Sequence, residues 1–400
     1  MPFIVEQMGL TASEYGVVVS SFAIAKMVGT FPAAVVVDRY GRKPFLVYSL
    51  ILCGSGIGMV GLSSCMEELV MCRLMSGIGV AALSTASTLM VADISTPLNR
   101  ASTYAPVMTG FATGTALGPA IGGLLADHIG VEQTFYLVGA SFMGLTMVNQ
   151  LLISETKPEP FFFPWETNET ENRKDETNKK SMMAAANDAI MQWVPLMNDA
   201  RVRNVVLLNG VYWLALSGSQ ITCLPLMLTN PEGPFVMSAT SVGQVYMGMS
   251  IVQVVANPIV GIAADKLGKV RAIVGGGTIL SLSIAAMSMS SDIYQLTAAM
   301  GCWALGSTML SSAPIAHVSD LVSTKKRSQA VALLRTSGDV GFFVGASTIG
   351  MIADLTGDLG LAVQSGSGIL FAGTSWFAAR QFLYSKEQPT QKIDCSKNGK

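Results

Sequence analysis

Apolar residues run through this chain in long blocks, and polar residues gather in the short gaps between them. The blocks are 17–37, 45–62, 69–92, 102–126, 134–153, 205–228, 242–264, 272–289, 293–318, 329–353 and 361–383. A helix needs roughly 20 apolar residues to cross the bilayer core. Backbone groups in lipid must bond within their own segment, so blocks of this length are read as helices. The pattern therefore predicts an all-α, polytopic membrane protein with about eleven transmembrane helices.

The gaps repeat. A shift of 227 positions carries Asp38 to Asp265, Gly41 to Gly268, Arg42 to Lys269, Asp93 to Asp320 and Arg100 to Arg327. It also carries Gly114 to Gly341, Gly118 to Gly345, Gly123 to Gly350 and Asp127 to Asp354, and sets "TASEYG" on "SATSVG". Two parallel repeats of the same orientation are expected, and transporters built this way hold their substrate between the halves. The expected divisions are an N-terminal membrane repeat at 1–154, a linker at 155–204, a C-terminal six-helix repeat at 205–384 and a tail at 385–400. Block 205–228 has no counterpart in the first repeat, and "MPFIVEQMG" reads as the outer end of such a helix. Either the sequence is a truncated form of a twelve-helix chain, or eleven helices is its real number. In the linker, "ETNETENRKDETNKK" is too charged to bury a core and is expected to be disordered.

Composition agrees: 50% of the 400 residues are hydrophobic, 13% are charged, and the mean hydropathy is +0.48. The net charge of −1 conceals a sorting. Of 25 Lys and Arg, 21 lie in one alternating set of gaps or in the tail, and the opposite gaps hold none. Positive residues mark the cytoplasmic side, which places "DRYGRK", "STPLNR", "DKLGKVR" and "STKKRS" inside. Both termini of the intact protein are then cytoplasmic, in a plasma or organelle membrane. Six scattered cysteines have no metal spacing; Cys65 and Cys72 could pair, but free thiols are expected. There is no nucleophile–base set, metal cluster or phosphate loop, so an enzyme, a cofactor and a nucleic-acid partner are not expected. The expected partners are lipid, a small-molecule substrate and protons, and the chain is expected to be a monomer.

Three stretches carry a resemblance. "DRYGRKP" resembles motif A of the major facilitator superfamily, with Ala34 where Gly is usual. "RLMSGIG" from Arg73 resembles motif B, and "GTALGPAIGG" from Gly114 resembles motif C of the drug:proton antiporters (the multidrug and tetracycline efflux type). The chain is thus similar to a two-repeat major facilitator bundle lacking its first helix. The resemblance implies proton-coupled antiport of a small organic compound by alternating access. A metabolite symporter or facilitator, for a sugar or an organic anion, and an inactive or receptor-like relative are the alternatives.

By the same resemblance, Asp38, Arg39, Gly41, Arg42, Lys43, Asp93 and Arg100 are expected to form a cytoplasmic gate with Asp265, Gly268, Lys269, Arg271, Asp320 and Arg327. Asp38 sits at the C-terminal end of its helix, where the dipole disfavours an anion, so it needs a cation such as Arg42. Plain positive-inside anchoring is the other reading of these charges. Gly114, Gly118 and Gly122, four residues apart, together with Gly123 and a kinking Pro119, are expected to form a close-packed interface. Ordinary small-residue packing is the alternative to a specific antiport role. Four charges lie inside apolar blocks on the basic side of the account: Lys26, Arg73, Arg335 and Arg380. Lys26 lies twelve residues from Asp38 and Asp339 twelve from Arg327, which puts both about 18 Å deep. Lys26 and Asp339 can meet as a proton-sensitive pair, or Arg335 can hold Asp339 one turn away on the same helix.

Overall fold

A computed structural model of the chain describes residues 2–95, 100–156, 191, 193–231, 233–323 and 326–387; the side chains of Asp38, Arg39, Arg100 and Asp265 lie outside the described set. A short α1 (Pro2–Gln7) precedes the first-repeat helices α2 (Ala12–Tyr40), α3 (Arg42–Gly58), α4 (Met66–Ile94), α5 (Arg100–Ile129) and α6 (Val131–Leu152). The second repeat has α7 (Ala200–Thr229), α8 (Ala239–Leu267), α9 (Lys269–Met289), α10 (Ile293–Leu321), α11 (Arg327–Thr356) and α12 (Leu359–Glu387). Each of the eleven apolar blocks thus lies on its own long helix. Among the described residues, six of these helices are apolar enough to cross a membrane by length and composition alone. Helix α12 is as long but diluted by Gly, Ser and Thr, as in "QSGSGILFAGTSW".

The repeat is visible in the helix boundaries. The starts of α2, α3, α4 and α5, moved by 227, fall to the residue on those of α8, α9, α10 and α11. The α2–α3 and α8–α9 reversals each turn on a glycine with positive φ, Gly41 at 101° and Gly268 at 95°. A side chain at either would be strained, which is why the two charged gaps share this residue. One boundary departs from the apolar pattern. Helix α7 begins at Ala200, before block 205–228, because the Asp199 side chain accepts a hydrogen bond from Arg201 N and caps it. Residues 193–198 are also helical, and Leu196 is buried against the second-repeat core. The expected disordered stretch at 166–180 and the tail beyond 387 lie outside the described residues.

Within the first repeat α4 packs on α2 and α3, and α3 on α6; within the second, α9 packs on α10 and α12, and α7 on α11. The repeats meet along two seams, α2 with α11 and α5 with α8. In the second repeat α7 presses on glycines of α11. A Cβ at Gly341 would overlap the Gly210 carbonyl, and one at Gly345 the Leu214 carbonyl. Their first-repeat counterparts behave differently. A Cβ at Gly114, Gly118 or Gly122 would meet no other part of the chain within 4 Å, so the close-packed face expected along motif C is not formed among the described residues. The physical reason is that these residues include no first-repeat counterpart of α7 to cover that face of α5. Of the motif, Gly123 is in tight contact, with the Ala239 carbonyl of α8.

Candidate functional site

The end of the bundle carrying "DRYGRK" and "DKLGKVR" is the basic face; the other is the acidic face. At the acidic face, two carboxylates cross the seams. Asp354 at the end of α11 accepts hydrogen bonds from Ala12 N and Ser13 N, each 3.0 Å, at the start of α2. Asp127 at the end of α5 accepts from Ala239 N at 3.2 Å and Thr240 N at 2.9 Å, at the start of α8. The two arrangements are copies under the 227-residue shift. Each anion meets free amides and the positive end of a helix dipole belonging to the opposite repeat. Beneath them the seams narrow to backbone contact. A Cβ at Gly16 would strike the Ala346 carbonyl, and one at Gly243 the Pro119 carbonyl. Ser20 Oγ donates to Phe343 O at 2.9 Å across one seam, and Ser250 Oγ to Thr115 O at 3.1 Å across the other. Both seams are therefore closed at the acidic face.

Towards the basic face a cavity of about 860 Å³ opens between α2 and α11, with Phe22, Trp213 and Phe342 deep in it and Trp193 and Arg327 nearer its mouth. Trp213 and Phe342 stand 6.3 Å apart, tilted by 43°. In the cavity wall, Lys26 Nζ of α2 donates to Asp339 Oδ1 of α11 at 3.1 Å. The two side chains are 37% and 28% exposed, so the pair bridges the repeats yet remains open to the cavity. Arg335, one turn before Asp339, is exposed in the same cavity and has no ion-pair or hydrogen-bond partner among the described residues. The structure thus joins Asp339 to Lys26 and leaves Arg335 apart. Among the other aromatic residues, Tyr212 and Trp303 are buried in the second-repeat core, and the Tyr246 hydroxyl donates to Gln220 O.

At the basic face, Arg42 Nε is 2.9 Å from Asp93 Oδ2, with little of either side chain exposed. Its copy pairs Lys269 with Asp320, more exposed. Asp320 lies beyond the apolar block of α10, and the hydrogen bond from Lys269 holds its carboxyl below the usual range. Both pairs join neighbours inside one repeat; among the described side chains, no ion pair joins the two basic-face clusters. Glu155 accepts from Arg42 N at 3.0 Å and Lys43 N at 3.1 Å, and so caps α3. Arg327 Nε donates to Ser319 O at 2.9 Å, and Arg271 is exposed on α9. Arg73 is half-buried on α4, with its Nε buried and unpartnered, and His317 Nε2 is buried likewise on α10, outside the cavity. Cys65 and Cys72 are free thiols.

Two helical repeats with charged groups and an open cavity at their seam, shut at the far face, define a multi-pass membrane transporter rather than an enzyme. The sequence model of the Major Facilitator Superfamily matches residues 1–230 and 216–394, and the chain belongs to that family. It is 26% identical over 366 residues to an uncharacterised MFS-type transporter of Methanocaldococcus jannaschii, covering 89% of this chain and 86% of that one. Shorter matches reach multidrug resistance protein 2 of Bacillus subtilis (28% identity, 39% of each chain). The quinolone resistance protein NorA of Staphylococcus aureus matches at 26% identity over 39% of this chain and 40% of that one. In fold, the chain is similar to a bacterial homolog of the human lysosomal transporter Spinster, at TM-score 0.73 and 17% identity, covering 96% and 91% of the two chains. It is also similar to the nucleoside transporter NupG, at TM-score 0.72 and 11% identity, covering 94% and 93%.

Proposed function

We propose that this chain moves a small organic compound across its membrane by alternating access, and that protonation of Asp339 governs the exchange between open faces. The observation that supports it is the Lys26–Asp339 pair, which ties the two repeats together inside the cavity at 3.1 Å. A charge held in the membrane interior needs a partner or water. Protonating Asp339 removes the attraction to Lys26 and with it one tie between α2 and α11. The basic face is the cytoplasmic one, by the distribution of Lys and Arg. There Arg42–Asp93 and Lys269–Asp320 keep each repeat rigid, and they belong to the gate region with Asp38, Arg39, Gly41, Lys43, Arg100, Asp265, Gly268, Arg271 and Arg327. Arg73 serves as a second, half-buried charge, and of the motif-C residues Pro119 and Gly123 serve as the packing contacts with α8.

Exchange of the compound for protons, in the outward direction, is the reading favoured by motif C and by the partial similarity to multidrug and quinolone resistance proteins. The basic lining of the cavity favours a second reading, co-transport of an organic anion with a proton. The sign of the pH dependence separates them. In proteoliposomes with a pH gradient, exchange drives compound against the proton flow and co-transport drives it along. Lys26→Asp and Asp339→Lys should each stop transport, and the double swap should restore part of it. A double swap as inactive as either single swap would remove the pair from the mechanism.

A further inference from the structure

We propose that the compound is an organic anion with a flat apolar body, that Arg335 binds its charged end, and that one proton accompanies it. This takes up the second reading above, co-transport, in place of exchange, and rests on the cavity being the substrate path. The described groups lining the cavity include three basic side chains, Lys26, Arg327 and Arg335, and one acidic side chain, Asp339. Lys26 and Asp339 neutralise each other at 3.1 Å, and Arg327 Nε is engaged with Ser319 O near the mouth. Arg335 is left exposed and without a described partner, halfway into the bundle and lining the same cavity as Trp213 and Phe342. A guanidinium is always charged and presents a planar fork that fits a carboxylate or sulfonate. The Trp213 and Phe342 rings supply apolar faces in the same cavity.

A cationic compound meets the opposite situation. It finds no free carboxylate among the described lining residues, and taking Asp339 from Lys26 would leave Lys26, Arg327 and Arg335 uncompensated in one cavity. A neutral compound leaves Arg335 unpaired.

The same geometry accounts for the proton. Around Asp339, the charged groups among the described residues are Lys26 from α2 and Arg335 from its own helix; α7 contributes the neutral Asn209 and Trp213, and α10 and α12 place no titratable group in the cavity. When Asp339 takes a proton, Lys26 is released and can join Arg335 on the anion. One anion and one proton enter together, and the charge of the cavity is unchanged.

The test uses the full-length chain in lipid nanodiscs and three probes of equal shape: 2-naphthoate, 2-naphthylmethylammonium and 2-naphthamide. Binding is read from tryptophan quenching, and proton uptake from a dye in weak buffer. Naphthoate should bind at least about tenfold tighter than either analogue, the worth of one charge-assisted hydrogen bond. It should take up about one proton per molecule bound, as a single carboxylate requires. Arg335→Gln should abolish the preference while keeping naphthamide affinity, Arg335→Lys should restore part of it, and Asp339→Asn should abolish proton uptake. If the ammonium or the amide binds as tightly as naphthoate, or Arg335→Gln keeps the preference, the anion assignment falls and the cavity stands as a site. If none of the three probes binds to the wild-type chain, the cavity is not a site for organic compounds, and both readings fall.

Discussion

The reciprocal caps at the acidic face predict a large effect from two small substitutions. In the double variant Asp127→Ala with Asp354→Ala, the amides of Ala12, Ser13, Ala239 and Thr240 lose the carboxylates that now bind them across the seams. An N-terminal cap contributes about 1 kcal/mol, and both carboxylates stand near solvent, so water can replace part of each. Because each cap joins opposite repeats, it stabilises the closed face and is absent when that face opens. Removing both should therefore shift the equilibrium by about 2 kcal/mol, or about thirtyfold, towards an open acidic face. The assay is electron–electron distance measurement between spin labels at Ser64 and Ser291, exposed counterparts at this face, in a background without other cysteines. The wild-type chain should give mainly a short distance, and the double variant a dominant longer one. Superimposable distance distributions would refute the role given to the caps. Each single substitution should give about half of the free-energy shift, since the two caps lie on separate seams.

Further outcomes follow from the same geometry. Gly16→Val and Gly243→Val should also raise the long-distance population, because no side chain fits where those backbones touch Ala346 and Pro119; an unchanged population would show that the contact is not needed for closure. Arg42→Ala should lower stability in detergent by about 2–4 kcal/mol, since it strands the partly buried Asp93, whereas Lys269→Ala at the more exposed copy should cost clearly less. Equal effects would contradict this. The hydrogen bond from Lys269 lowers the carboxyl of Asp320 relative to the unfolded chain. Its contribution to stability is therefore present above the unfolded value, about pH 4, and is lost as pH falls through the lower folded value. Melting curves of the wild type and Asp320→Asn should differ at neutral pH and converge in strong acid.

Much of this architecture is legible in the sequence. The 227-residue shift places the equivalent helices of the two repeats, and counting turns from Asp38 and Arg327 puts Lys26 and Asp339 at one depth, where the structure joins them. The caps are not legible in the same way. Asp127 and Asp354 stand out as repeat copies, and "TASE" carries the Thr11–Glu14 capping box, but a carboxylate that caps a helix 112 or 341 residues away leaves no local pattern. Helix α7 starts earlier than its apolar block because the cap Asp199 is polar and lies outside any hydrophobic count. The motif-C glycines show the reverse: their spacing announces a packing face, but only a neighbouring helix can fill it, and none of the described helices does so at Gly114, Gly118 or Gly122. Which cation holds Asp339 depends on how the two repeats dock, not on spacing along α11.

The central claim is that one proton on Asp339 biases which face is open, and it can be tested without knowing the substrate. The Ser64–Ser291 distance is measured across an acid titration in the wild type and in Asp339→Asn. The ionised pair stabilises the state with its acidic face shut, so acidification should increase the longer distance in the wild type. Asp339→Asn should show the longer distance at every pH. If the variant responds to pH as the wild type does, the proton acts elsewhere and the account is wrong.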